Sequence, residues 1–257
     1  MPFTGNIDDQ ISTLETHLNK CDINLTDYQI EGVKWLISRE FDRNPGGILA
    51  DDPGLGKTLQ MLSLIYINKK EKTLIVVPKS ILTQWCDLIK NILGDMNLYI
   101  HYGEGKKEDF DILDTDFNIC ITTYYNILSK GDDLDNILYN QNIEWQRIIF
   151  DEGHMLRNKK THIYNSCKNL FQDNSSIWIV SGTPIQNGNY DMTNLLNLIT
   201  GEVPDKLENL IEKYVLRRNK ELLFRNNDLQ ECNITNILIP FSCRSEQDIY
   251  TLSLIHI

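Results

Sequence analysis

No stretch of this 257-residue chain approaches the ~18 consecutive apolar residues of a membrane span. Met1 to Lys20 also lacks the apolar core of a signal peptide, so a membrane partner is not expected. The six cysteines (Cys21, Cys86, Cys120, Cys167, Cys232, Cys243) are scattered and show no C-x-x-C spacing. Cys86 and Cys120 sit in apolar elements and read as small core residues, and a reducing intracellular compartment is expected. His17, His101, His162 and His256 have no metal-ligand spacing. Internal repeats and low-complexity tracts are lacking too. Positive charge is in short supply: 25 Lys and Arg against 36 Asp and Glu leave a net charge of −11. That excludes a broad basic footprint on nucleic acid but not a narrow grip, because backbone N–H and hydroxyl contacts to phosphate carry no net charge. Acid gathers in Glu104 to Asp116 and Asp132 to Asp135, as solvated loops or as docking surfaces for basic proteins such as histones. With 41% hydrophobic residues, the chain can bury one good core and a small appendage.

What is present begins with I-L-A-D-D-P-G-L-G-K-T, Ile48 to Thr58, an apolar run that stops at a glycine-flanked Lys-Thr pair. Such a run leads a buried strand into a loop of exposed N–H groups and then a helix N-terminus, which favours bound phosphate. In a P-loop reading Lys57 reaches the β/γ-phosphates and the Thr58 hydroxyl ligates Mg²⁺. A Cβ at Gly54 or Gly56 would block close backbone approach. The strict G-x-x-x-x-G-K-[ST] pattern is not met, since Asp51 stands at the first glycine.

R-I-I-F-D-E-G-H, Arg147 to His154, is a second apolar run, ending in two acids. Asp151 fits a Mg²⁺ ligand and Glu152 a base that orients the attacking water; a solvated turn is the plain alternative. I-W-I-V-S-G-T-P-I-Q-N, Ile177 to Asn187, ends in hydroxyls: Ser181 and Thr183 either relay between two sites or simply make a good turn.

Apolar runs at Gly47–Asp52, Lys72–Pro78, Leu98–His101, Asn118–Thr122, Arg147–Asp151 and Ser176–Ser181 show little polar alternation, as parallel strands covered on both faces do. Between them, Ile81, Leu82, Trp85, Leu88, Ile89 and Ile92 make a helical stripe. A helix is expected from Thr58, burying Leu59, Leu62 and Ile65. The alternation predicts an α/β fold with a doubly wound, mostly parallel sheet, and ligands beyond the strands' C-terminal ends. Residues 1–20 read as a polar lead-in with a weak helical pattern, 21–203 as the nucleotide-binding lobe, and 204–257 as a short helical and extended appendage. In that appendage Leu207 to Leu223 reads as one amphipathic segment, Asn233 to Phe241 as extended, and the whole tail as poorly anchored.

The three blocks, in this order, resemble the first, RecA-like motor lobe of superfamily 2 helicase-like ATPases of the SWI/SNF type. L-T-D-Y-Q-I-E-G-V-K-W-L (Leu25 to Leu36) looks like that family's adenine-reading segment, with Gln29 facing the base. Thr26-x-x-Gln29 is equally a capping box. T-L-I-V-V-P-K-S-I-L-T-Q-W (Thr73 to Trp85) is similar to motif Ia and I-C-I-T-T-Y (Ile119 to Tyr124) to motif Ib. D-E-G-H with L-R-N (Leu156 to Asn158) resembles the branch holding helicase-like transcription factor and viral global-transactivator proteins. V-L-R-R-N-K-E (Val215 to Glu221) and S-E-Q-D-I-Y (Ser245 to Tyr250) match segments leading to a second lobe.

The resemblance implies a DNA-dependent ATP hydrolase that tracks along double-stranded DNA, remodels bound proteins, and acts in transcription regulation or DNA repair. It implies ATP and Mg²⁺ as cofactors, nucleosomes or transcription proteins among the partners, and a nuclear site of action (the host nucleus if the source is viral). ATP would be bound by Gln29, Asp51, Asp52, Pro53, Gly54, Leu55, Gly56, Lys57 and Thr58; Lys57, Asp151 and Glu152 would be catalytic, and Thr58 and Asp151 would hold Mg²⁺. His154, Ser181 and Thr183 would couple hydrolysis to movement, and Lys79, Ser80, Thr122 and Thr123 would touch the DNA backbone. The basic cluster Arg157, Lys159 and Lys160 reads either as a phosphate contact or as solvated charge. A strand-separating helicase and a non-catalytic nucleotide-gated regulator are the alternatives.

The sequence departs from the family pattern in three places. Asp52-Pro53 replaces the usual Glu-Met, stiffening the loop and removing a donor. Only about thirty residues separate Pro184 from Arg217, so the helical protrusion is reduced. The chain also stops at Ile257, short of a second lobe and its arginines. An arginine finger is worth on the order of 10³-fold or more in phosphoryl transfer, so weak ATP binding and slow hydrolysis are expected of this polypeptide alone.

Overall fold

Each of the six apolar runs forms a strand in the computed structural model, which describes residues 6–94, 96–102, 116–128, 137–139, 143–183, 189–201 and 207–225. The strands are β1 (Gly46–Leu49), β2 (Thr73–Val77), β3 (Leu98–His101), β4 (Ile119–Thr123), β5 (Arg147–Asp151) and β6 (Ser176–Val180). A seventh, β7 (Val215–Leu216), was not anticipated. The seven strands form one sheet in the order β3-β4-β2-β5-β6-β1-β7, every pair parallel. The expected α/β, doubly wound parallel sheet is therefore the observed fold. All but the last residue of the acidic run Glu104 to Asp116, the run Asp132 to Asp135, the stretch Asn233 to Phe241 and the match at Ser245 to Tyr250 lie outside the described residues.

Parallel strands need crossovers, and helices supply them on both faces. One face carries α1 (Ile7–Asn19), α2 (Asp27–Glu40), α3 (Lys57–Ile67) and α4 (Leu82–Ile92). There Leu49, Ile75, Val77, Ile149, Trp178 and Val180 pack against Leu36, Leu62, Ile65, Trp85 and Ile89. The opposite face carries α5 (Tyr124–Ile127), α6 (His162–Lys168), α7 (Asn189–Thr200) and α8 (Leu207–Tyr214). There the alternate strand residues Ile48, Val76, Ile148, Phe150 and Ile179 meet Ile127, Tyr164, Leu195 and Leu196. Both faces of each central strand are thus buried, which is why those runs lack polar alternation.

The lead-in contributes more to this core than its polarity suggested. Asn6 caps α1 by accepting the Asp8 N–H at 3.1 Å, and Ile11, Leu14 and Leu18 are buried on one helical face. His17 stacks on Tyr66 with ring centroids 4.3 Å apart and bonds the Ile92 carbonyl through Nε2 at 2.7 Å. The predicted amphipathic segment Leu207 to Leu223 is corrected: it breaks into α8, the strand β7 and a short helix α9 (Lys220–Arg225). The reason is the open edge of β1, on which Val215 and Leu216 pair with Ile48 and Leu49, and just past it the Ala50 N–H donates to the Leu216 carbonyl at 2.7 Å. Residues 215–220 are consequently hydrogen-bonded to the lobe, while residues 226–257 of the expected poorly anchored tail lie outside the described residues.

At the N-terminal end of the sheet, Arg147 Nε and Nη2 donate to the two carboxylate oxygens of Glu40 at 2.6 and 2.5 Å. The Trp178 indole adds a third bond to Glu40 at 3.0 Å, and both members of the pair are fully buried. Burial pushes the Glu40 carboxyl up, but the Arg147 charge and these bonds outweigh it and hold the pKa below its ordinary value.

Candidate functional site

The site forms where β1, β5 and β6 end. Beyond β1 the chain turns through Asp51 to Gly56 and enters α3 at Lys57. Gly54 and Gly56 adopt φ of +83° and +75°, a left-handed conformation that side chains disfavour. A Cβ on Gly56 would also lie 2.3 Å from Gln29 Nε2, so the tight loop needs glycine there twice over. Lys57 curls back over the loop and donates to the carbonyls of Asp51 (2.8 Å) and Asp52 (3.2 Å). Burial pulls the Lys57 pKa down from its ordinary value, against the opposing pull of Asp51, Glu152, Asp151 and Asp52.

From β5, Asp151 enters the same space with its carboxylate already oriented. Trp85 Nε1 donates to Asp151 Oδ2 at 2.7 Å, and the Glu152 N–H donates to Oδ1 at 2.9 Å. Tyr124 Oη donates to the Asp151 carbonyl at 2.8 Å. Burial dominates and raises the Asp151 pKa, while the Trp85 and Glu152 N–H bonds oppose it. Glu152 sits at φ +51°, unusual for a residue with a side chain and typical of strained functional turns. That turn brings Glu152 Oε2 to 3.0 Å from His154 Nδ1, which is also 3.5 Å from Ser181 Oγ. Ser181 Oγ in turn accepts the Thr183 N–H at 3.3 Å. The expected coupling residues His154, Ser181 and Thr183 are thus contiguous, running from the second acid to the turn after β6.

Pro53, Gly54, Gly56, Lys57, Thr58, Trp85, Asp151, Glu152, Gly182 and Thr183 line one cleft of about 560 Å³. Its chemistry, one ammonium, loop N–H groups, hydroxyls and two carboxylates, suits a polyphosphate with a hard divalent cation. The all-oxygen set of Thr58 and Asp151 fits Mg²⁺, and both Asp151 oxygens already accept N–H bonds that fix their direction. Pro53 packs on the turn after β6, lying 2.8 Å from where a Cβ on Gly182 would be.

Gln29, Asp51, Asp52 and Leu55 are not among the lining residues; they hold the loop from behind. Gln29 serves both sequence readings in part: its Oε1 accepts the Thr26 N–H at 3.0 Å, closing the capping box, while Nε2 donates to the Leu55 carbonyl at 3.2 Å. Leu55 packs on Tyr28 and Leu223. Asp51 is fully buried and paired with Arg218, a residue to which sequence reasoning gave no role. Trp85 and Tyr124 were also missed as partners of Asp151, since an apolar stripe does not reveal which indole N–H meets a carboxylate.

Of the expected DNA contacts, Lys79 and Ser80 lie exposed in a turn after β2. Thr122 and Thr123 are buried, and Thr122 donates its hydroxyl to the His101 carbonyl at 3.0 Å. Lys79 and Thr123, with Pro78, Tyr102, Tyr125 and Met155, line a second cavity of about 640 Å³. His154, Met155, Arg157, Lys160 and Tyr190 line a third, about 740 Å³.

A family profile described as SNF2-related domain matches residues 28–206. A probable global transactivator of Orgyia pseudotsugata multicapsid polyhedrosis virus is 29% identical over 235 residues, covering 82% of this chain and 46% of the viral protein. An ISWI chromatin-remodeling complex ATPase of Saccharomyces cerevisiae is 29% identical over 230 residues, covering 86% of this chain and 19% of its own. Among solved structures, the Sulfolobus solfataricus SWI2/SNF2 ATPase core in complex with dsDNA superposes with a TM-score of 0.67 at 26% identity, over 81% of this chain and 47% of that one. The chain therefore spans less than half the length of each of these proteins.

Proposed function

This chain belongs to the SNF2-related domain family, and from that premise we propose that it is the nucleotide-binding lobe of an ATP-driven motor that translocates along double-stranded DNA. The observation that carries the reading is the cleft in which Lys57 and Thr58 face Asp151 and Glu152. Loop N–H groups and the start of α3 receive the phosphates of ATP, and Lys57 exchanges its two carbonyl partners for phosphate oxygens. Thr58 and Asp151 would hold Mg²⁺, which would neutralise charge on the phosphate oxygens. Glu152 orients the attacking water and takes its proton, with His154 at 3.0 Å to respond to the change and pass it to Ser181 and Thr183. Lys57 carries the only positive charge among the described residues lining the cleft. Motor-rate hydrolysis therefore requires a further cationic group from outside that set.

The exposed Lys79 beside the second cavity and the basic residues of the third support a DNA track on the same edge of the sheet. The relatives support action on chromatin or transcription complexes in the nucleus, with nucleosomes or other DNA-bound proteins as the material moved.

Two substitutions test the roles. Lys57→Ala should abolish ATP binding, and Glu152→Gln should keep binding while removing hydrolysis, with DNA-stimulated phosphate release as the readout. Wild-type turnover in either variant refutes the assignment. Unwinding of a forked duplex without protein displacement would favour a strand-separating helicase instead.

A further inference from the structure

Residues 216–220 run beside β1 and on along the start of the phosphate loop. Ala50 donates to the Leu216 carbonyl at 2.7 Å and Asp52 to the Arg218 carbonyl at 3.1 Å. Lys220 N–H donates to the Asp52 carboxylate at 3.1 Å. Arg218 is the centre of the arrangement. Its N–H and Nε donate to Asp51 Oδ1 at 3.0 and 2.9 Å, and Nη2 donates to Asp51 Oδ2. Nη2 also reaches Gln60 Oε1 at 2.6 Å, and Nη1 donates to the Tyr28 carbonyl. One guanidinium thereby joins α2, the phosphate loop and α3 to the segment that follows β7. Gly32 leaves it room, since a Cβ there would meet Gln60 Oε1 at 2.0 Å and Arg218 Nη2 at 2.7 Å. Asp51 is fully buried, and an ionised carboxylate in that position is tolerable only with a cation bonded to it.

We propose that Arg218 is a positioning residue of the nucleotide site: through Asp51 it sets the path of the phosphate loop, and by the same bonds residues 216–220 respond to what the loop holds. The proposal rests on the nucleotide reading given above. The loop has its backbone fixed on both sides of Asp51 by this segment. A loop shape that binds a nucleoside diphosphate is therefore also the shape that bonds 216–220. By thermodynamic reciprocity, ligand in the loop must stabilise the segment as much as the segment stabilises ligand binding.

Hydrogen exchange on the full chain, with and without ADP, tests this without any substitution. The expected result is slower exchange both in residues 50–60 and in 216–220 when ADP is bound. Slower exchange in 50–60 with 216–220 unchanged overturns the proposal and leaves the nucleotide reading standing. No slowing anywhere overturns both. Arg218→Lys keeps the charge but loses the planar fork, and should weaken ADP binding on the order of tenfold. Wild-type ADP affinity in that variant also overturns the proposal.

Discussion

Two buried carboxylate–arginine pairs sit at opposite ends of the sheet and behave differently. Glu40 and Arg147, where β5 begins, are both fully enclosed, and Trp178 and Asn68 donate further bonds to Glu40. Asp51 and Arg218, beyond the end of β1, enclose the acid completely but leave the arginine side chain 13% exposed behind the phosphate loop. The first pair ties helix to sheet, away from the ligand cleft. The second ties a ligand loop to a distant segment. Similar chemistry thus serves fold stability in one place and site geometry in the other, and what separates them is proximity to the strands' C-terminal ends.

The largest effect is expected from Glu40→Gln, which strands a buried guanidinium without its counter-charge. It should cost about 3–5 kcal/mol of stability in urea unfolding, with ADP affinity per folded molecule unchanged. A loss below about 1 kcal/mol would mean that the pair is not the anchor described. Asp51→Asn should cost less stability, about 1–2 kcal/mol, because Arg218 keeps contact with solvent, yet it should weaken ADP binding more than Glu40→Gln does. The reverse ranking would erase the distinction. The smallest effect concerns pH. Glu40 has a depressed pKa in the folded state, so its contribution is complete above the unfolded value of about 4.3 and is lost as pH falls through the folded value. Acid unfolding of the wild type should therefore steepen below about pH 4, and Glu40→Gln should remove that component.

The two pairs also mark where the sequence could and could not be read. The six longer strands were legible because parallel strands buried on both faces leave unbroken apolar runs, and the phosphate loop because its glycines and Lys57-Thr58 are contiguous. The two-residue β7 carries no periodicity, and its existence depends on the open edge of β1. Arg218 pairs with Asp51 across 167 residues of chain, a separation that no local pattern encodes. The polar look of Met1 to Lys20 hid Ile11, Leu14 and Leu18, because three apolar residues on one face suffice to seat a helix against α3. Thr122 and Thr123 belong to a buried strand end, so a DNA role for their hydroxyls was not readable from motif position alone. Gln29 shows the opposite: capping and loop contact use different atoms of one amide, so two readings that looked exclusive coexist.

The most direct test of the account is a crystal structure of the chain with a non-hydrolysable ATP analogue and magnesium. Phosphate density is expected within hydrogen-bonding distance of Lys57 Nζ and the N–H groups of residues 54–58, with the metal between Thr58 and Asp151. Analogue bound at another surface, with Lys57 still on the carbonyls of Asp51 and Asp52, would contradict it.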